Sequence, residues 1–447
     1  MGVDRVQIGF VSLGCTKNQI DSELMQGLLT AGGHTLVANV DEAEVIIVNT
    51  CGFIQAAKEE SIQAILAAAE HKKRRCRQLI VAGCLSQRYA KELLQDIPEV
   101  DGLVGTGSFT TIAEVVRRVQ AGERVLSVGE TDYDYEEDIE RATSNEYSAY
   151  VKIAEGCSNW CSYCVIPLVR GEYRSRSMES ILREVAKLEG KGLRELNLIA
   201  QDTTRYGIDR YGEPRLAELL EKLHAIAGLQ WIRLLYCYPD FFTAELIEAM
   251  AALPKICKYV DMPLQHINDR ILSAMHRRGT KQEIIALLHK LRARIPGLTI
   301  RTTFIVGFPG ETEEEFRELW QFVAEMKFDH VGAFKYSREE DTAADALEGH
   351  VDESVKEGRY QELMLLQQEI SRARNQHLVG TVQMVLVEGP WPEGKGVVGR
   401  AMKDAPEVDG VVYVRGAQAS KGEFIAVQVQ STSEYDLFGV INHESRQ

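Results

Sequence analysis

Residues 156–164 (Gly-Cys-Ser-Asn-Trp-Cys-Ser-Tyr-Cys) contain three cysteines, Cys157, Cys161 and Cys164, with three and then two residues between them. A closed tetrahedral zinc site needs four ligands, one more than this short segment supplies. Three thiolates can instead bind three irons of a cubane iron–sulfur cluster and leave the fourth iron open to a small molecule. The spacing therefore predicts a cluster with one open iron, and the alternative is a zinc knuckle or a partial set of disulfides.

Three further cysteines each follow a strand-like segment in the N-terminal part of the chain. The segments and their cysteines are residues 6–14 before Cys15, residues 45–50 before Cys51 and residues 79–83 before Cys84. The second and third segments are continuous aliphatic runs, which are typical of strands buried on both faces of a parallel sheet. Helix-like stretches at residues 22–31 and 59–73 separate the segments, so the pattern predicts an open α/β sheet.

The carboxyl ends of parallel strands share one edge of a sheet, and ligands bind beyond that edge. Because all three cysteines fall there, we predict that Cys15, Cys51 and Cys84 converge on one site that holds a second cluster with an open iron. The alternative is three core thiols, since unmodified cysteine is among the most buried residue types. Cys76, beside a run of basic residues, is predicted to take no part in this site.

Composition restricts the class of protein. The 447 residues are enough for about two to four domains. No run of about eighteen apolar residues is present and the N-terminus lacks the features of a signal peptide, so we predict no membrane span. Nine clustered cysteines favour metal ligation in a reducing compartment, which predicts a cytoplasmic protein. The formal net charge of −15 disfavours nucleic acid and favours a basic protein as partner.

From residue 150 onward, strand-like and helix-like segments alternate again. The predicted strands are residues 150–154, 195–200, 231–236, 259–262, 299–306 and 330–336. Three of the helices begin with capping boxes, whose first residues are Thr280, Thr312 and Ser354. A parallel series of βα units of this length predicts a partial (β/α)6 barrel, with the loop of residues 156–164 at its C-terminal mouth.

Polar residues at the strand ends of such a barrel are candidate ligand contacts. They are Gln201 and Asp202 after the second strand, Tyr238 after the third, Gln265 and His266 after the fourth, and residues 307–310 after the fifth. For each of them the alternative is turn chemistry, and His266 is equally compatible with a hydrogen-bonded structural histidine. Cys237 and Cys257, in or before apolar strands, are predicted to be packing residues.

Residues 131–147 are acidic and poor in apolar side chains, which predicts a linker or mobile loop. This linker separates a domain of residues 1–130 from a domain of residues 148–375, and residues 376–447 form a third. In the third domain, short alternating strands broken by Gly/Pro turns predict a small antiparallel barrel.

The charges of this tail predict its partner. Residues 376–447 contain six Lys/Arg against nine Asp/Glu, and three of the acids, Asp404, Glu407 and Asp409, lie in one turn-rich stretch. Such a surface is poor for phosphate and suits a Lys/Arg-rich protein, so we predict that the tail recognises a basic protein substrate. The alternative is a solvated loop without a partner.

Two three-cysteine sites, a partial barrel and a small terminal barrel together resemble the radical S-adenosylmethionine (radical SAM) methylthiotransferases over essentially the whole chain. The family-typical motifs are residues 11–18 (Val-Ser-Leu-Gly-Cys-Thr-Lys-Asn), 49–54 (Asn-Thr-Cys-Gly-Phe-Ile) and 155–157 (Glu-Gly-Cys). The resemblance implies S-adenosylmethionine (SAM) and two [4Fe-4S] clusters as cofactors, each cluster on one cysteine triad. It also implies a flavodoxin-like N-terminal sheet, a radical SAM barrel and a C-terminal TRAM domain.

Two residues are candidate SAM contacts through the same resemblance. Radical SAM proteins usually have an aromatic residue before the last cysteine of the loop, and Tyr163 stands there. Many also have a Gly-Gly-Glu-like motif after the second strand, where it meets the SAM amino group. Residues 199–204 differ from that motif, and Gln201 is the candidate in its place.

Residues 304–312, 336–340 and 404–410 are similar to the branch that modifies an aspartate in the twelfth protein of the small ribosomal subunit. The resemblance implies that a SAM-derived radical abstracts hydrogen from the aspartate β-carbon. Sulfur presented by the N-terminal cluster, methylated from a second SAM, is then transferred there. It implies no side-chain general base, and an electron donor such as a flavodoxin. The alternatives are a tRNA adenosine methylthiotransferase with the same chemistry and a non-catalytic iron–sulfur protein.

Overall fold

The computed structural model describes residues 5–131, 139–143 and 145–442, and the chain divides into two compact units. Unit 1 consists of Met1–Ser144, Tyr150–Glu184 and Ser337–Asp345. Unit 2 consists of Asn145–Ala149, Val185–Tyr336 and Ala346–Gln447. Most of the acidic stretch within the predicted linker, residues 132–138, lies outside the described residues.

A six-stranded parallel sheet with helices forms the first part of unit 1. Its strands are β1 (Gln7–Ser12), β2 (Thr35–Val37), β3 (Val45–Thr50), β4 (Gln78–Gly83), β5 (Gly102–Val104) and β6 (Val125–Ser127). Its helices are α1 (Thr16–Ala31), α2 (Gln55–Glu70), α3 (Cys84–Arg88), α4 (Ala90–Asp96) and α5 (Ile112–Gln120). The strand order β2-β1-β3-β4-β5-β6 contains the flavodoxin-like order, so the predicted open α/β sheet is confirmed.

The central strands of this sheet form because their side chains are buried on both faces. All residues of β3 are buried, and so are all residues of β4 except Gln78. Valine and isoleucine dominate both strands, as expected where helices cover a parallel sheet on each side. Cys76 belongs to the same apolar core and is 4% exposed, so it packs there and lies away from the cysteine-bearing edge.

The remaining elements of unit 1 surround the cysteine loop of residues 156–164. They are the last residues of β7 (Ser148–Lys152), the antiparallel pair β8 (Ala154–Glu155) and β9 (Arg174–Ser175), the short helix α6 (Ile166–Arg170) and the first part of α7 (Met178–Gly190). The loop therefore begins after β8 and ends where α6 begins.

Unit 2 contains a second parallel sheet, whose order is β14-β13-β12-β11-β10-β7. Its further strands are β10 (Glu195–Ile199), β11 (Trp231–Leu234), β12 (Ile256–Asp261), β13 (Thr299–Val306) and β14 (His330–Lys335). Ser148 and Ala149 of β7 belong to this unit and lie beside β10, where Asn197 Nδ2 donates to Ser148 Oγ at 3.2 Å. All of these strands coincide with predicted ones, with ends shifted by a few residues, and the parallel βα series is confirmed.

The helices of unit 2 after α7 are α8 (Ile208–Tyr211), α9 (Leu216–His224), α10 (Ala244–Ala252), α11 (Asp269–Ala274), α12 (Lys281–Arg294), α13 (Glu313–Met326) and α14 (Glu353–Gln376). The capping boxes predicted at Thr280 and Thr312 are both present. The one predicted at Ser354 is wrong, because α14 begins one residue earlier, after Asp352. Glu357 bonds Lys335 at 2.9 Å instead of folding back onto Ser354.

The C-terminal segment of unit 2 is a closed five-stranded barrel of order β15-β16-β17-β19-β18. Its strands are β15 (Val382–Pro390), β16 (Gly396–Ala401), β17 (Val412–Arg415), β18 (Phe424–Thr432) and β19 (Leu437–Ile441). Alternating residues, such as Val385, Val387, Val412 and Val414, fill its interior and are fully buried. The predicted small barrel is confirmed, although β17 and β19 pair in parallel.

The acidic stretch of the tail does not form the predicted open surface. The side chains of Asp404 and Asp409 are each 1% exposed. Asp409 Oδ2 accepts a hydrogen bond from Tyr259 Oη at 2.6 Å, and its Oδ1 lies 3.5 Å from both Arg301 Nε and His330 Nδ1. Asp404 and Asp409 attach the small barrel to β12, β13 and β14, so these two acids are not available to a basic partner, whereas Glu407 is exposed.

A second buried ion-pair group joins the same two parts of unit 2. Glu195, at the start of β10, lies 2.5 Å from Arg400 Nη2 and 3.1 Å from Arg233 Nη2. Arg400 also bonds Glu388 at 2.7 Å. Burial raises the pKa of Glu195, but the two arginines outweigh it and bring the pKa down to about 2. Among the described residues, no helix is long and apolar enough to cross a membrane.

Candidate functional site

The N-terminal cysteines lie at the carboxyl edge of the first sheet. Cys15 stands between β1 and α1, Cys51 directly follows β3, and Cys84 is the first residue of α3 after β4. The strand order reverses between β1 and β3, because β2 and β3 lie on opposite sides of β1. Such a reversal opens a crevice at the strand ends in which α/β proteins bind ligands. The structure thus brings these cysteine-bearing loops to a site of that type.

Glycines allow the three loops to approach closely. Gly14 has φ +89°, and a Cβ there would lie 2.9 Å from Cys51 Cβ. A Cβ on Gly52 would lie 3.1 Å from the carbonyl oxygen of Cys84. Gly83 has φ +95°, and its Cβ would lie 2.6 Å from the Thr50 carbonyl oxygen. Side chains at these positions would force the loops apart, so glycine is required for the convergence.

Asn18 of α1 ties the three loops together from below. It is fully buried, and its Nδ2 donates to the carbonyl oxygens of Leu13 at 3.1 Å and Thr50 at 2.8 Å. Its Oδ1 accepts from Cys84 Sγ at 3.6 Å. Leu13 and Thr50 belong to the loops of the first two cysteines, so one amide side chain contacts all three loops.

The environment of the three sulfurs is uneven. Cys15 is exposed, whereas Cys51 and Cys84 are buried. Burial raises the pKa of the Cys84 thiol to about 12 and also raises that of Cys51. Because iron binds thiolates, metal binding at this site releases protons, and the energy of the metal bonds must offset the burial of charge.

The second cysteine loop is closed at its base by backbone contacts. Cys157 N donates to the Gly171 carbonyl oxygen at 3.0 Å, and Gly156, with φ +76°, packs so tightly against the Glu172 carbonyl that a Cβ would clash. Cys164 N donates to the Cys161 carbonyl oxygen at 3.0 Å, which closes a tight turn between these two ligand candidates. Cys157, Cys161, Cys164 and Tyr163 are all partly exposed.

The two cysteine sites are neighbours within unit 1. Cys84 forms a small buried cluster with Val165 and Val169, which belong to the segment that directly follows Cys164. The apolar side chains of this segment exclude water from the Cys84 side of the first site. The two triads therefore lie on adjoining loops, which the sequence spacing alone does not show.

Four charged side chains lie beside both loops, and we call them the buried charge cluster: Asp21, Lys152 and Arg170, which are buried, and Glu155, which is 16% exposed. Lys152 Nζ lies 2.5 Å from Asp21 and 2.7 Å from Glu155. Arg170 lies 3.0 Å from Asp21 and 2.9 Å from Glu155. Two cations and two carboxylates balance one another, which is the condition under which such burial is tolerated.

The segment of residues 337–340 packs against the Cys51 loop. Glu339 is 1% exposed and accepts bonds from Lys58 Nζ and Arg88 Nη1, each at 3.0 Å. Arg88 also donates to the Gly52 carbonyl oxygen at 3.3 Å. The motif that resembles one branch of the family thus supports the loop of an N-terminal cysteine.

The predicted barrel-mouth residues of unit 2 differ in their burial and in their hydrogen bonds. Asp202 and His266 are fully buried, and burial lowers the pKa of His266 to about 3. Asn268 N donates to His266 Nδ1 at 3.0 Å, which supports the structural reading of this histidine. Gln265 adopts φ +70°, and its buried Oε1 has no hydrogen-bond partner among the described residues. Gln201 is half-buried.

The other predictions in unit 2 concern Cys237, Cys257 and residues 307–310. Both cysteines are 1% exposed in the core, so the packing prediction is confirmed. Gly307 N and Phe308 N both donate to the carboxylate of Glu311, which also pairs with Arg359 at 3.2 Å. Burial raises the pKa of Glu311 to about 7.

Within residues 5–131, 139–143 and 145–442, no group of three His, Cys, Asp or Glu side chains is placed so that it could hold a single metal ion.

Sequence reasoning missed Asn18, Asp21 and Arg170. Asn18 ends the quoted motif of residues 11–18, and its position one turn after Cys15 on a helix is the signal that could have identified it. Arg170 contacts Asn18 across a long sequence separation, and its neighbours in the chain carry no sign of that contact.

Models of three protein families match successive parts of the chain. They are "Uncharacterized protein family UPF0004" over residues 7–105, "Radical SAM superfamily" over residues 151–323 and "TRAM domain" over residues 379–441. A solved structure of the radical SAM methyltransferase TsrM from Kitasatospora setae, with cobalamin and a [4Fe-4S] cluster bound, has a TM-score of 0.58 at 14% identity and covers 85% of this chain and 77% of its own. The likeness to the TsrM structure concerns the fold alone.

Curated relatives extend over nearly the whole chain. The chain is 53% identical to the ribosomal protein uS12 methylthiotransferase RimO of Pelotomaculum thermopropionicum, over 97% of this chain and 99% of the relative. It is 48% identical to the RimO of Clostridioides difficile, over 98% of this chain and 99% of that relative. The fold and the matching families define a radical SAM protein with an added N-terminal sheet and a TRAM barrel. Within that class, the chain belongs to the ribosomal protein uS12 methylthiotransferase (RimO) family.

Proposed function

We propose that this chain adds a methylthio group to the β-carbon of an aspartate in ribosomal protein uS12, with SAM as co-substrate. The observation that carries the proposal is the identity of about half of all residues to uS12 methylthiotransferases over their full length. The neighbouring cysteine triads of unit 1 support it, because sulfur insertion at an unactivated carbon needs chemistry that side chains alone do not supply.

We propose that each triad holds one [4Fe-4S] cluster: Cys15, Cys51 and Cys84 the auxiliary cluster, and Cys157, Cys161 and Cys164 the cluster that binds SAM. The donor set fits, since each triad offers three thiols and leaves one iron open. At the first triad, glycine cradles and Asn18 support the fit by holding three loops around a common point. When bound, the two clusters and SAM supply radical formation and the sulfur to be transferred.

The chain's own residues prepare these sites. Val165 and Val169 exclude water beside Cys84. The buried charge cluster places the cations Lys152 and Arg170 next to sites that become negative when thiolates form, and the acids Asp21 and Glu155 hold those cations in place. Positive charge beside a thiolate site stabilises its charged form in a medium of low dielectric constant.

Several finer assignments belong to the same proposal. Tyr163 and Gln201 contact SAM, a donor such as a flavodoxin supplies electrons, and the protein works in the cytoplasm, where its substrate and a reducing environment are found. The domains are residues 1–130, 148–375 and 376–447, joined by the linker of residues 131–147. Because Asp404 and Asp409 are engaged internally, attraction of a basic substrate rests on the acidic surface as a whole.

The test is an anaerobic assay of the reconstituted protein with SAM and dithionite, offered purified uS12 and bulk tRNA in parallel. We expect a methylthio group on one uS12 aspartate by peptide mass spectrometry and unmodified tRNA. Cys15→Ala is expected to keep SAM cleavage and lose product, Cys157→Ala to lose both, and the matched core variant Cys76→Ala to keep both. Methylthioadenosine in tRNA with unmodified uS12 would contradict the proposal.

A further inference from the structure

Arg170 is a buried cation to which the proposed function gives only the general role, shared with Lys152, of offsetting thiolate charge. It is the last residue of α6, six positions after Cys164, and its side chain is 2% exposed. Burying a guanidinium is costly unless every donor finds an acceptor, so the contacts of this side chain define its purpose.

The guanidinium connects the SAM-binding loop to the auxiliary site. Nη2 donates to Asn18 Oδ1 at 2.6 Å and to Asp21 Oδ2 at 3.0 Å, and Nη1 donates to Glu155 Oε1 at 2.9 Å. Asn18 Oδ1 is the same atom that accepts from Cys84 Sγ. A chain of direct contacts therefore runs from α6 through Arg170 and Asn18 to a cysteine of the auxiliary site.

The position of Asn18 extends this contact to the whole triad. Its amide nitrogen already bonds the Leu13 and Thr50 carbonyls, beside Cys15 and Cys51. Arg170 fixes which way the amide faces, because its donor requires the oxygen on the side of Cys84. The orientation of one amide group thus depends on a residue of α6.

Arg170 also brings a positive charge close to the auxiliary site. Its Nη2 and the Sγ of Cys84 contact the same atom, Asn18 Oδ1, at 2.6 Å and 3.6 Å. The guanidinium therefore lies within electrostatic reach of the site that the auxiliary cluster would occupy.

We propose that Arg170 is a positioning residue of the auxiliary cluster: it fixes Asn18 beneath the loops of Cys15, Cys51 and Cys84, and its charge sets the reduction potential of the cluster bound there. The inference rests on the proposed function, because it needs a cluster on that triad. A fixed positive charge stabilises the reduced, more negative state of the cluster, so it raises the reduction potential. Because Arg170 belongs to α6 and contacts Asn18, it also connects the auxiliary site to the loop that binds SAM.

The test is a mediated redox titration in the Cys157/Cys161/Cys164→Ala background, which retains only the auxiliary cluster. The couple is the one-electron reduction of the cluster from the 2+ to the 1+ state, with dithionite as electron source and the cluster signal followed by electron paramagnetic resonance. Arg170→Gln keeps a side-chain donor for Asn18 and removes the charge. We expect the equilibrium constant for reduction of its cluster to fall at least about tenfold. For a one-electron couple, this is a shift of the reduction potential of about 59 mV to more negative values.

A second variant tests the same idea with the opposite sign. Asp21→Asn removes one of the acids that neutralise Arg170, so we expect a shift to more positive potential. Arg117→Gln, at an exposed arginine paired with Glu114, is the matched control and should leave the potential unchanged. Should Arg170→Gln not fold, Asp21→Asn decides alone.

The outcomes separate this inference from the proposed function. The inference would be overturned if the folded Arg170→Gln variant had an equilibrium constant for cluster reduction within twofold of the parent value. The same holds for Asp21→Asn where that variant decides. In either case the proposed function would stand. Absence of iron from the parent background itself would overturn the two-cluster proposal and the inference with it.

Discussion

Replacement of Glu195 by Gln tests how the small barrel is attached to the second sheet. Glu195, Arg233 and Arg400 are all buried, with side chains 0%, 0% and 2% exposed. Glu195→Gln keeps the size of the side chain but removes the charge between the two arginines. Removing one partner of a buried ion pair costs about 3–5 kcal/mol. Because Arg400 retains Glu388, we expect a loss of about 3 kcal/mol in the free energy of unfolding.

The pKa of Glu195 gives an independent magnitude. Burial raises this pKa, but Arg400 and Arg233 bring it from 4.5 down to about 2, which corresponds to about 3 kcal/mol at neutral pH. Because the folded-state pKa lies below the unfolded value, the stabilisation is present above about pH 4.5 and is lost as the pH falls toward about 2. Wild type and variant should therefore converge in acid.

The assay is guanidinium unfolding at neutral pH and at steps down to about pH 3, with hydrogen exchange of the small barrel as a local probe. The matched control is Glu218→Gln, an acid 36% exposed and paired with Arg215 and Lys222, which should change stability by less than about 0.5 kcal/mol. A Glu195→Gln variant as stable as the control at neutral pH, or a difference that does not shrink in acid, would mean that the charge of Glu195 does not hold the small barrel to the second sheet.

Three further predictions concern single side chains. Asn18→Ala removes the amide that contacts all three N-terminal cysteine loops, and iron analysis should show the auxiliary site binding well below about four irons while SAM cleavage persists. Asp409→Asn removes the charge facing Arg301 and His330, and we expect a loss of about 2 kcal/mol in the free energy of unfolding. Hydrogen exchange measured by mass spectrometry should become faster in residues 404–410. Unchanged exchange would count against attachment of the small barrel through Asp409. Thr312→Ala breaks a complete capping box and should cost about 1 kcal/mol in thermal unfolding, whereas a neutral result would mean that α13 is held by packing alone.

The elements that the sequence predicts well are those whose signal is local. The aliphatic runs of β3 and β4 identify buried parallel strands, and from these strands the shared edge of Cys51 and Cys84 follows. Thr280 and Thr312 identify helix starts because a capping box lies within four residues. Ser354 has the same pattern but lies inside α14, since Lys335 of a neighbouring strand holds Glu357.

The features that the sequence does not predict depend on partners far away in the chain. Asp404 and Asp409 read as a solvated acidic surface because Tyr259, Arg301 and His330 are distant in sequence. A charged residue is expected at the surface unless an oppositely charged partner is buried with it, and that partner is identified only by the tertiary structure. Arg170 is invisible for the same reason, although it contacts the residue that organises the auxiliary site.

Iron and sulfide content of the anaerobically reconstituted protein, compared with that of the Cys157/Cys161/Cys164→Ala variant, decides whether the chain holds two clusters. We predict about eight irons per chain in the wild type and about four in the variant, because each triad holds one cubane cluster. About four irons falling to none would contradict the two-cluster proposal: Cys15, Cys51 and Cys84 would then be core thiols, and the chain would carry a single cluster.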